Sequence, residues 1–474
     1  MQRLSHALRS SAEAFRRDRG GNVAVLFALT LLPLIGLVGA AIDYGRANTI
    51  RTEMQAALDS TALMLSKEAA TDTQGQLQAN AAKYFNAMFT QTTVNNVQLN
   101  VTYTQSGGNS VTVAGSAGMP TSFMGVIGYN NIAIGGSSTA KWGSTRLQVA
   151  LVLDNTGSMA SAGKMSALKT ATISLLSQLQ SAASVNGDVY VSIVPFVKDV
   201  NVGSGNYNAN WIYWGNSSQD PNHTDDSSWE AHFGSCSKNS FPLLYASPRA
   251  ACLAFNKNAD WTPASHSTWN GCVMDRGYPK SPSNLNGNSG PDTTNNYDTN
   301  VASIDPTKPA SMYAAEQYGQ CPSAAVMGLS YDWSAMTTLV NNMSPNGNTN
   351  QAIGLQLGWQ SLVGGGPFPA PPMDPNYTYS RIIILLTDGL NTEDRWYTDQ
   401  NAIDTRQEIT CKNINVAGIT LYTIQVNTDG DPTSTLLQNC ASSPDKFFLL
   451  TSANQIVSTF QAIGTNLTQL RIAK

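Results

Sequence analysis

Charge is what this sequence has least of. Lys, Arg, Asp and Glu make up 12% of its 474 residues, about half the usual share. The net charge is −4, and basic residues cluster only at the N-terminus, so the electrostatic footprint of a nucleic-acid partner is missing. Histidine is scarce, at 4 residues. His223, His232 and His266 are scattered through one polar stretch, which argues against a zinc site and leaves no Ser-His-Asp set in view. Cysteine is absent before Cys236. The six that follow (Cys236, Cys252, Cys272, Cys321, Cys411 and Cys440) include no CxxC pair, so zinc-ribbon and thioredoxin chemistry are set aside. Their even number points to disulfides in an oxidising compartment. Asn, Ser, Thr, Gly and Gln stand where charge is missing, a profile that suits an extracytoplasmic protein.

One long apolar run is present. Val23 to Ile42 is uncharged over 20 residues, enough to cross a hydrocarbon core of about 30 Å as a helix. Arg3, Arg9, Arg16, Arg17 and Arg19 precede it, against Glu13 and Asp18. The positive-inside rule then places residues 1–22 in the cytoplasm and the rest of the chain outside. Pro33 and Gly36 fall mid-span, where membrane helices tolerate them. A cleaved signal peptide is the rival reading, with Gly39-Ala40-Ala41 as its small-residue site. Its apolar core would be only about 7–15 residues long. The Ala-rich, helix-favouring continuation through Arg46 to Ala70 favours a retained, single-pass anchor.

Beyond the anchor, residues 43–144 read as a helical stalk and a small α+β module. A helix is predicted over 73–90 from the spacing of Leu77, Ala81, Tyr84, Phe85 and Met88. Strands are predicted at Val97–Tyr103, Val111–Ala114 and Ile132–Trp142. From residue 145 the pattern changes. Leu147–Leu153 and Ile382–Leu386 are continuous apolar runs, as in strands buried on both faces. Further strands at Val189–Phe196, Thr420–Val426 and Phe447–Leu450 alternate with helices near 163–183, 401–416, 432–440 and 453–471. This alternation predicts an α/β, doubly wound, mainly parallel sheet over 145–474. Residues 201–330 interrupt it. They hold Trp211, Trp214, Trp229, Trp261, Trp269 and four cysteines, and they are too long for a bare loop. They read as an insertion stapled by disulfides. Cys411 and Cys440 lie outside it, and connectivity among the other four stays open.

Asp154-Asn155-Thr156-Gly157-Ser158 follows the first buried strand, at the strand end where open α/β sheets bind ligands. One carboxylate and two hydroxyls at alternating positions of a tight turn can face one hard cation. Thr349, in Gly347-Asn348-Thr349, precedes a helix, and Asp388 ends the strand Ile382–Leu386. A single such Asp would ordinarily be a helix cap. Position 156 is Thr, which removes the second acid of an aspartyl-phosphate nucleophile. Asn427-Thr428-Asp429-Gly430-Asp431 has the start of a calcium loop without its downstream Glu, so it reads as a turn.

Asp-x-Thr-x-Ser after a strand, Gly-x-Thr before a helix and Leu-Leu-Thr-Asp-Gly after a later strand resemble the metal-ion-dependent adhesion site of von Willebrand A domains. The resemblance implies a divalent cation, Mg²⁺ with Mn²⁺ or Ca²⁺ as alternatives, at Asp154, Thr156, Ser158, Thr349 and Asp388. It also implies an acidic side chain from a partner completing the coordination. A second resemblance rests on Arg19-Gly20-Gly21-Asn22-Val23-Ala24-Val25-Leu26-Phe27-Ala28-Leu29, Ala41-Ile42-Asp43-Tyr44-Gly45 and Gln55-Ala56-Ala57-Leu58-Asp59-Ser60-Thr61-Ala62-Leu63. These are similar to TadG-type proteins of the Flp (Tad) pilus assembly system, which pair such an anchor with a C-terminal von Willebrand A domain. Val194-Pro195-Phe196-Val197 and Asn439-Cys440-Ala441-Ser442-Ser443-Pro444-Asp445 also look like that family. Related pseudopilins carry Glu five residues after the cleaved Gly. Here that position is Leu26 or Val25, which favours a retained anchor.

The expected protein is therefore a non-enzymatic pilus assembly or adhesion factor in the bacterial inner membrane. Its N-terminus would be cytoplasmic and its bulk periplasmic, with a pilus or envelope protein as partner. Glycan or peptidoglycan binding by the Trp-rich insertion is an alternative. So is a membrane component working with an AAA+ chaperone, which would want a cytoplasmic domain. A metal-dependent hydrolase would need a base near the ion, for which Glu393 and Asp394 are the candidates.

Overall fold

The computed structural model describes residues 21–472 apart from 70–71, 105–108, 143–144, 222–224, 239–244, 246, 256–257, 278–290, 292 and 294–295. The N-terminal arginines and His223 lie outside the described residues. The chain divides into two compact units, Met1–Trp142 and Gly143–Lys474.

In the first unit, helix α1 (Gly21–Leu65) runs unbroken through Pro33. Its two halves differ in what covers them. Leu26, Phe27, Leu29, Leu34, Leu37 and Val38 are exposed, and this part is long and apolar enough to cross a membrane. From Ala47 the helix becomes one-sided: Ile50, Met54, Ala57, Leu58, Ala62 and Leu65 are buried. They pack with helix α2 (Gln74–Met88) and a three-stranded antiparallel sheet, β1 (Asn95–Thr104), β2 (Asn109–Pro120) and β3 (Asn131–Trp142). A capping box between Thr73 and Gln76 starts α2, satisfying N–H groups that the first turn leaves free.

In the second unit, β4 (Thr145–Asp154), β5 (Val189–Phe196), β6 (Thr378–Thr387), β7 (Thr420–Val426) and β8 (Phe447–Leu450) form the parallel part of a ten-stranded sheet. Their order is β8-β7-β6-β4-β5, each neighbour parallel to the next. The predicted α/β layout is the one found. Leu147, Val149, Leu151 and Leu153 of β4 face one apolar layer, and Ala150 and Val152 face the other. Two-sided burial is the reason these strands read as continuous runs.

Helices α3 (Lys164–Ala182), α4 (Trp333–Asn342) and α8 (Asn454–Ile472) contribute to the first layer, and α5 (Gln351–Val363), α6 (Gln400–Val416) and α7 (Thr435–Cys440) to the second. Helix α5 lies close on the sheet because two of its residues lack side chains. A Cβ on Gly354 would stand 2.7 Å from Phe196 Cδ1, and one on Gly358 2.5 Å from Val152 Cγ2.

The stretch expected as an insertion extends the parent sheet. Val200–Asn201, Cys272–Arg276, Tyr313–Glu316 and Ile212–Tyr213 continue it beyond β5, and Met327–Ser330 pairs antiparallel with β5. Buried Arg276 stitches this extension to α5 by donating to Gln360 Oε1 at 2.9 Å and to the Ser311 and Ala302 carbonyls at 2.8 and 2.7 Å. Disulfides join Cys236–Cys252 and Cys272–Cys321 within it, and Cys411–Cys440 between α6 and α7. Trp214, Trp229 and Trp269 are buried together, with centroids 5.2 and 5.4 Å from Trp214. They form local core, which removes these three from any glycan-stacking surface.

Candidate metal site

The site grows from the C-terminal edge of the parallel strands. Asp154 ends β4 and is wholly buried. Its Oδ1 accepts the Thr156 N–H at 2.7 Å, which folds the chain back at once, and its Oδ2 accepts the Thr387 hydroxyl at 2.6 Å. Thr387 ends β6, so the two strands are tied at the point where they leave the sheet. Asp388 follows. Its Oδ1 accepts the Ser158 hydroxyl at 2.6 Å, and the Ser158 and Thr156 hydroxyls are 3.0 Å apart. Asp154, Thr156, Ser158 and Asp388 are thus brought together in one chain of hydrogen bonds.

Thr349 is delivered by a different loop. Gly157 N–H donates to Gly347 O at 3.0 Å and Asn346 N–H to Asn155 O at 2.7 Å. Gly347 holds φ +74°, a left-handed conformation in which a side chain would be strained. Thr349 N–H donates to the Thr392 hydroxyl at 2.8 Å, and Thr392 N–H returns to Thr349 O at 2.9 Å. Asn350 then caps α5 by accepting from Ala352 and Ile353 N–H. The structure places Thr349 beside the first loop through backbone bonds.

Burial raises the Asp154 carboxyl to about 7, with the charge of Asp388 adding to it and the bonds from Thr156 and Thr387 opposing it. The pair is not left uncompensated. Lys164 Nζ stands 2.6 Å from Asp388 Oδ2 and 3.1 Å from Asp429 Oδ2. Burial pulls this ammonium toward neutrality, but the hydrogen bond and charge of Asp388, joined by Asp429, outweigh it and raise its pKa. Sequence reasoning missed Lys164. Its signal was a cation in the first turn of α3, where the helix dipole disfavours positive charge and so hints at an anion nearby. Asp429 belongs to the turn read as a broken calcium loop. Asn427 Oδ1 accepts Gly430 and Asp431 N–H at 3.0 and 2.9 Å.

The donor set suits a hard cation. It offers two carboxylates and neighbouring hydroxyls, the oxygen chemistry Mg²⁺ prefers, with waters completing the shell. Three of the four carboxylate oxygens accept one hydrogen bond each, Asp388 Oδ2 faces the Lys164 ammonium, and each keeps a further lone pair. The side-chain amide of Asn155 is buried with neither polar atom partnered among the described residues, which calls for a further polar species in this loop. Among the described residues no three His, Cys, Asp or Glu side chains are grouped as a metal site. A cation here would depend on the hydroxyls.

Glu393 and Asp394, the candidate bases, are otherwise engaged. Glu393 Oε1 is 3.6 Å from Lys198 Nζ, and its Oε2 accepts from Asn348 Nδ2. Asp394 Oδ1 accepts from Trp396 and Tyr397 N–H at 2.6 and 2.5 Å. Of the described histidines in this unit, His266 stacks on Trp214 at 3.8 Å and meets Glu230 at 2.8 Å, and His232 Nδ1 lies 3.2 Å from Ser228 O.

The strand order and these three loops give the layout expected of a von Willebrand A-like unit, and it follows an apolar helix. Residues 21–67 match the family model described as "Putative Flp pilus-assembly TadE/G-like". No curated protein matches the sequence. Solved structures with a similar course include the pilus adhesin SpaC from Lactobacillus rhamnosus GG, in its open conformation. It is 13% identical with a TM-score of 0.34, over 79% of this chain and 34% of that one. The vWF domain of the type V pili tip protein Mfa5 from Porphyromonas gingivalis is 8% identical, TM-score 0.34, over 69% and 96%. Proximal thread matrix protein 1 from the mussel byssus, with a zinc-occupied MIDAS motif, is 11% identical, TM-score 0.31, over 69% and 46%. The chain spans about a third of the length of SpaC.

Proposed function

We propose that this chain is a membrane-anchored, non-enzymatic pilus assembly or adhesion factor. It holds a protein partner through a divalent cation bound by Asp154, Thr156, Ser158, Thr349 and Asp388. The observation that carries this reading is the charge balance at the site. Two buried carboxylates and Asp429 face one ammonium, a net charge of about −2 once Asp154 has lost its proton, which favours a cation. A divalent ion neutralises that sum, and a coordination position the chain leaves open can take an oxygen ligand from outside. An acidic side chain of a pilus or envelope protein fits that requirement. Mg²⁺ is the cation the oxygen set suits best. Glu393 and Asp394 are both committed to other partners, which speaks against hydrolysis.

The anchor is α1, with its N-terminus in the cytoplasm and the folded units on the periplasmic face of the inner membrane. Partner capture from envelope extracts by the full chain, with and without chelator, tests the binding claim. Capture should be lost with chelator and in Asp154→Ala, with the fold kept by circular dichroism. Capture that survives both removes the metal face from the interface. A reporter fused after residue 474 tests the orientation, and a cytoplasmic signal would exclude it.

A further inference from the structure

The turn between β2 and β3 carries a set of apolar side chains that the first unit leaves uncovered. Phe123, Val126, Ile127 and Tyr129 are 44, 83, 57 and 63% exposed. A soluble unit of this size has little reason to show four large apolar side chains on one short loop. Their position explains them. The loop lies against the apolar half of α1, and Phe123, Val126 and Ile127 line a groove of about 470 Å³ with Pro33, Leu37 and Ala40 of that helix. The approach is close: a Cβ on Gly39 would stand 2.4 Å from Phe123 Cβ. Pro33 precedes Ile42 by nine residues, so the loop reaches about 13 Å down the predicted span.

The loop is fixed there by polar bonds of a particular kind. Asp43, wholly buried one residue beyond the span, accepts the Ser122, Phe123 and Met124 N–H groups at 3.0, 2.8 and 2.8 Å. Arg46 donates to the Ser122 hydroxyl at 2.8 Å. Val126, Gly128 and Tyr129 N–H donate to the Phe123, Gly125 and Met124 carbonyls. Irregular backbone enters hydrocarbon only when its N–H groups are satisfied within the protein, and this loop meets that condition for six of them.

We propose that the Phe123–Tyr129 loop is a second membrane contact, seated among the acyl chains of the leaflet that faces the folded domain. The inference rests on reading α1 as the membrane anchor. The loop's apolar surface is continuous with that of the span, and Asp43 and Arg46 mark the level where polar groups resume. The consequence is mechanical. With two contacts, α1 and the loop, the first unit is held in one orientation on the bilayer instead of swivelling on a single helix.

Site-directed spin labelling of the full chain in phosphatidylcholine–phosphatidylglycerol vesicles tests this. The native cysteines are all paired in disulfides, so one introduced thiol takes the label. Val126→Cys reports the loop, Leu37→Cys the span and Leu63→Cys the water-facing end of the same helix; all three positions are exposed. The expected result is that the Val126 label collides with oxygen and loses collisions with an aqueous nickel chelate, as the Leu37 label does, while Leu63 shows the reverse. Nickel-chelate collisions at Val126 like those at Leu63, with Leu37 still in lipid, overturn the loop proposal alone. Shielding of Val126 from both reagents means a protein covers the loop and also overturns it. A Leu37 label open to the chelate removes the anchor reading, and the loop proposal with it.

Discussion

Lys164 Nζ and Asp388 Oδ2 stand 2.6 Å apart with neither side chain exposed to solvent. This ammonium already answers part of the charge that a divalent cation would answer. Replacing it by Lys164→Met strands a buried carboxylate, a change that typically costs about 3–5 kcal/mol. The variant should therefore unfold at lower temperature than the native chain in chelator. Mg²⁺ should stabilise it more than it stabilises the native chain, because the ion meets no competing ammonium. Thermal denaturation of both proteins across a Mg²⁺ series reads the difference. Equal stabilisation of the two would show that Lys164 does not compete for the site.

Asp154 gives the pH dependence its sign. Burial and the neighbouring Asp388 raise its carboxyl from 3.8 to about 7, so the folded chain keeps a proton that the unfolded chain releases. Stability without metal should be highest near the ordinary carboxylate range and decline as pH rises toward about 7. A bound divalent cation takes over the role of that proton and should flatten the decline. Urea midpoints from about pH 4 to about pH 8, in chelator and in Mg²⁺, measure it. Asp154→Asn should make the chelator curve shallower, the remaining decline coming from Asp199, Asp275 and Asp394, which burial also raises. A native profile in chelator already flat over that window would rule out the charge balance argued for the site.

What the sequence made legible follows from physics that acts locally. Strands β4 and β6 are buried on both faces, so Leu147–Leu153 and Ile382–Leu386 announced themselves as unbroken apolar runs. Asp154 and Asp388 are legible because they sit one and two residues past such runs. Lys198 and Glu316 were not found. They meet across 118 residues of separation, and the strand that brings Glu316 into place is four residues long, too short for a period-two signal. The extension of the sheet was missed for the same reason: its strands run from two to five residues. The tryptophans there looked like a possible binding surface because composition does not say which way a ring faces.

The packing of α5 was also invisible in the sequence, since a glycine in a helix reads as a weakness. Here Gly358 lets the helix close on Val152 of β4, just below the Asp154 turn. Gly358→Ala places a methyl group 2.5 Å from Val152 Cγ2, and overpacking of this kind costs about 1–3 kcal/mol. Val152→Ala in the same chain should recover part of that loss, although it is destabilising by itself. A double-mutant cycle by urea denaturation gives the coupling. Additive losses would mean that the helix does not rest on Val152.

Lys198 joins three segments that the sequence keeps far apart, and its loss should be felt at Thr349. Its ammonium lies 2.8 Å from Glu316 in the sheet extension, 3.6 Å from Glu393 in the loop after β6 and 3.9 Å from Asp199. Asp199 is fully buried and its carboxyl is raised well above the ordinary range, first by burial and then by the charge of Glu316. Lys198→Met leaves these acids without their shared cation, and repulsion should push Glu393 away. Glu393 accepts from Asn348, and its neighbour Thr392 brackets the Thr349 backbone, so the Thr349 loop should loosen. Amide exchange should quicken at Thr349 and Thr392 while the β4 amides keep their protection. Raising the pH should enlarge the effect, since Asp199, held well above the ordinary range, is then more often charged. Unchanged exchange at Thr349 would mean the loop is held by its backbone bonds alone, and Lys198 would then be a structural ion pair with no bearing on the site.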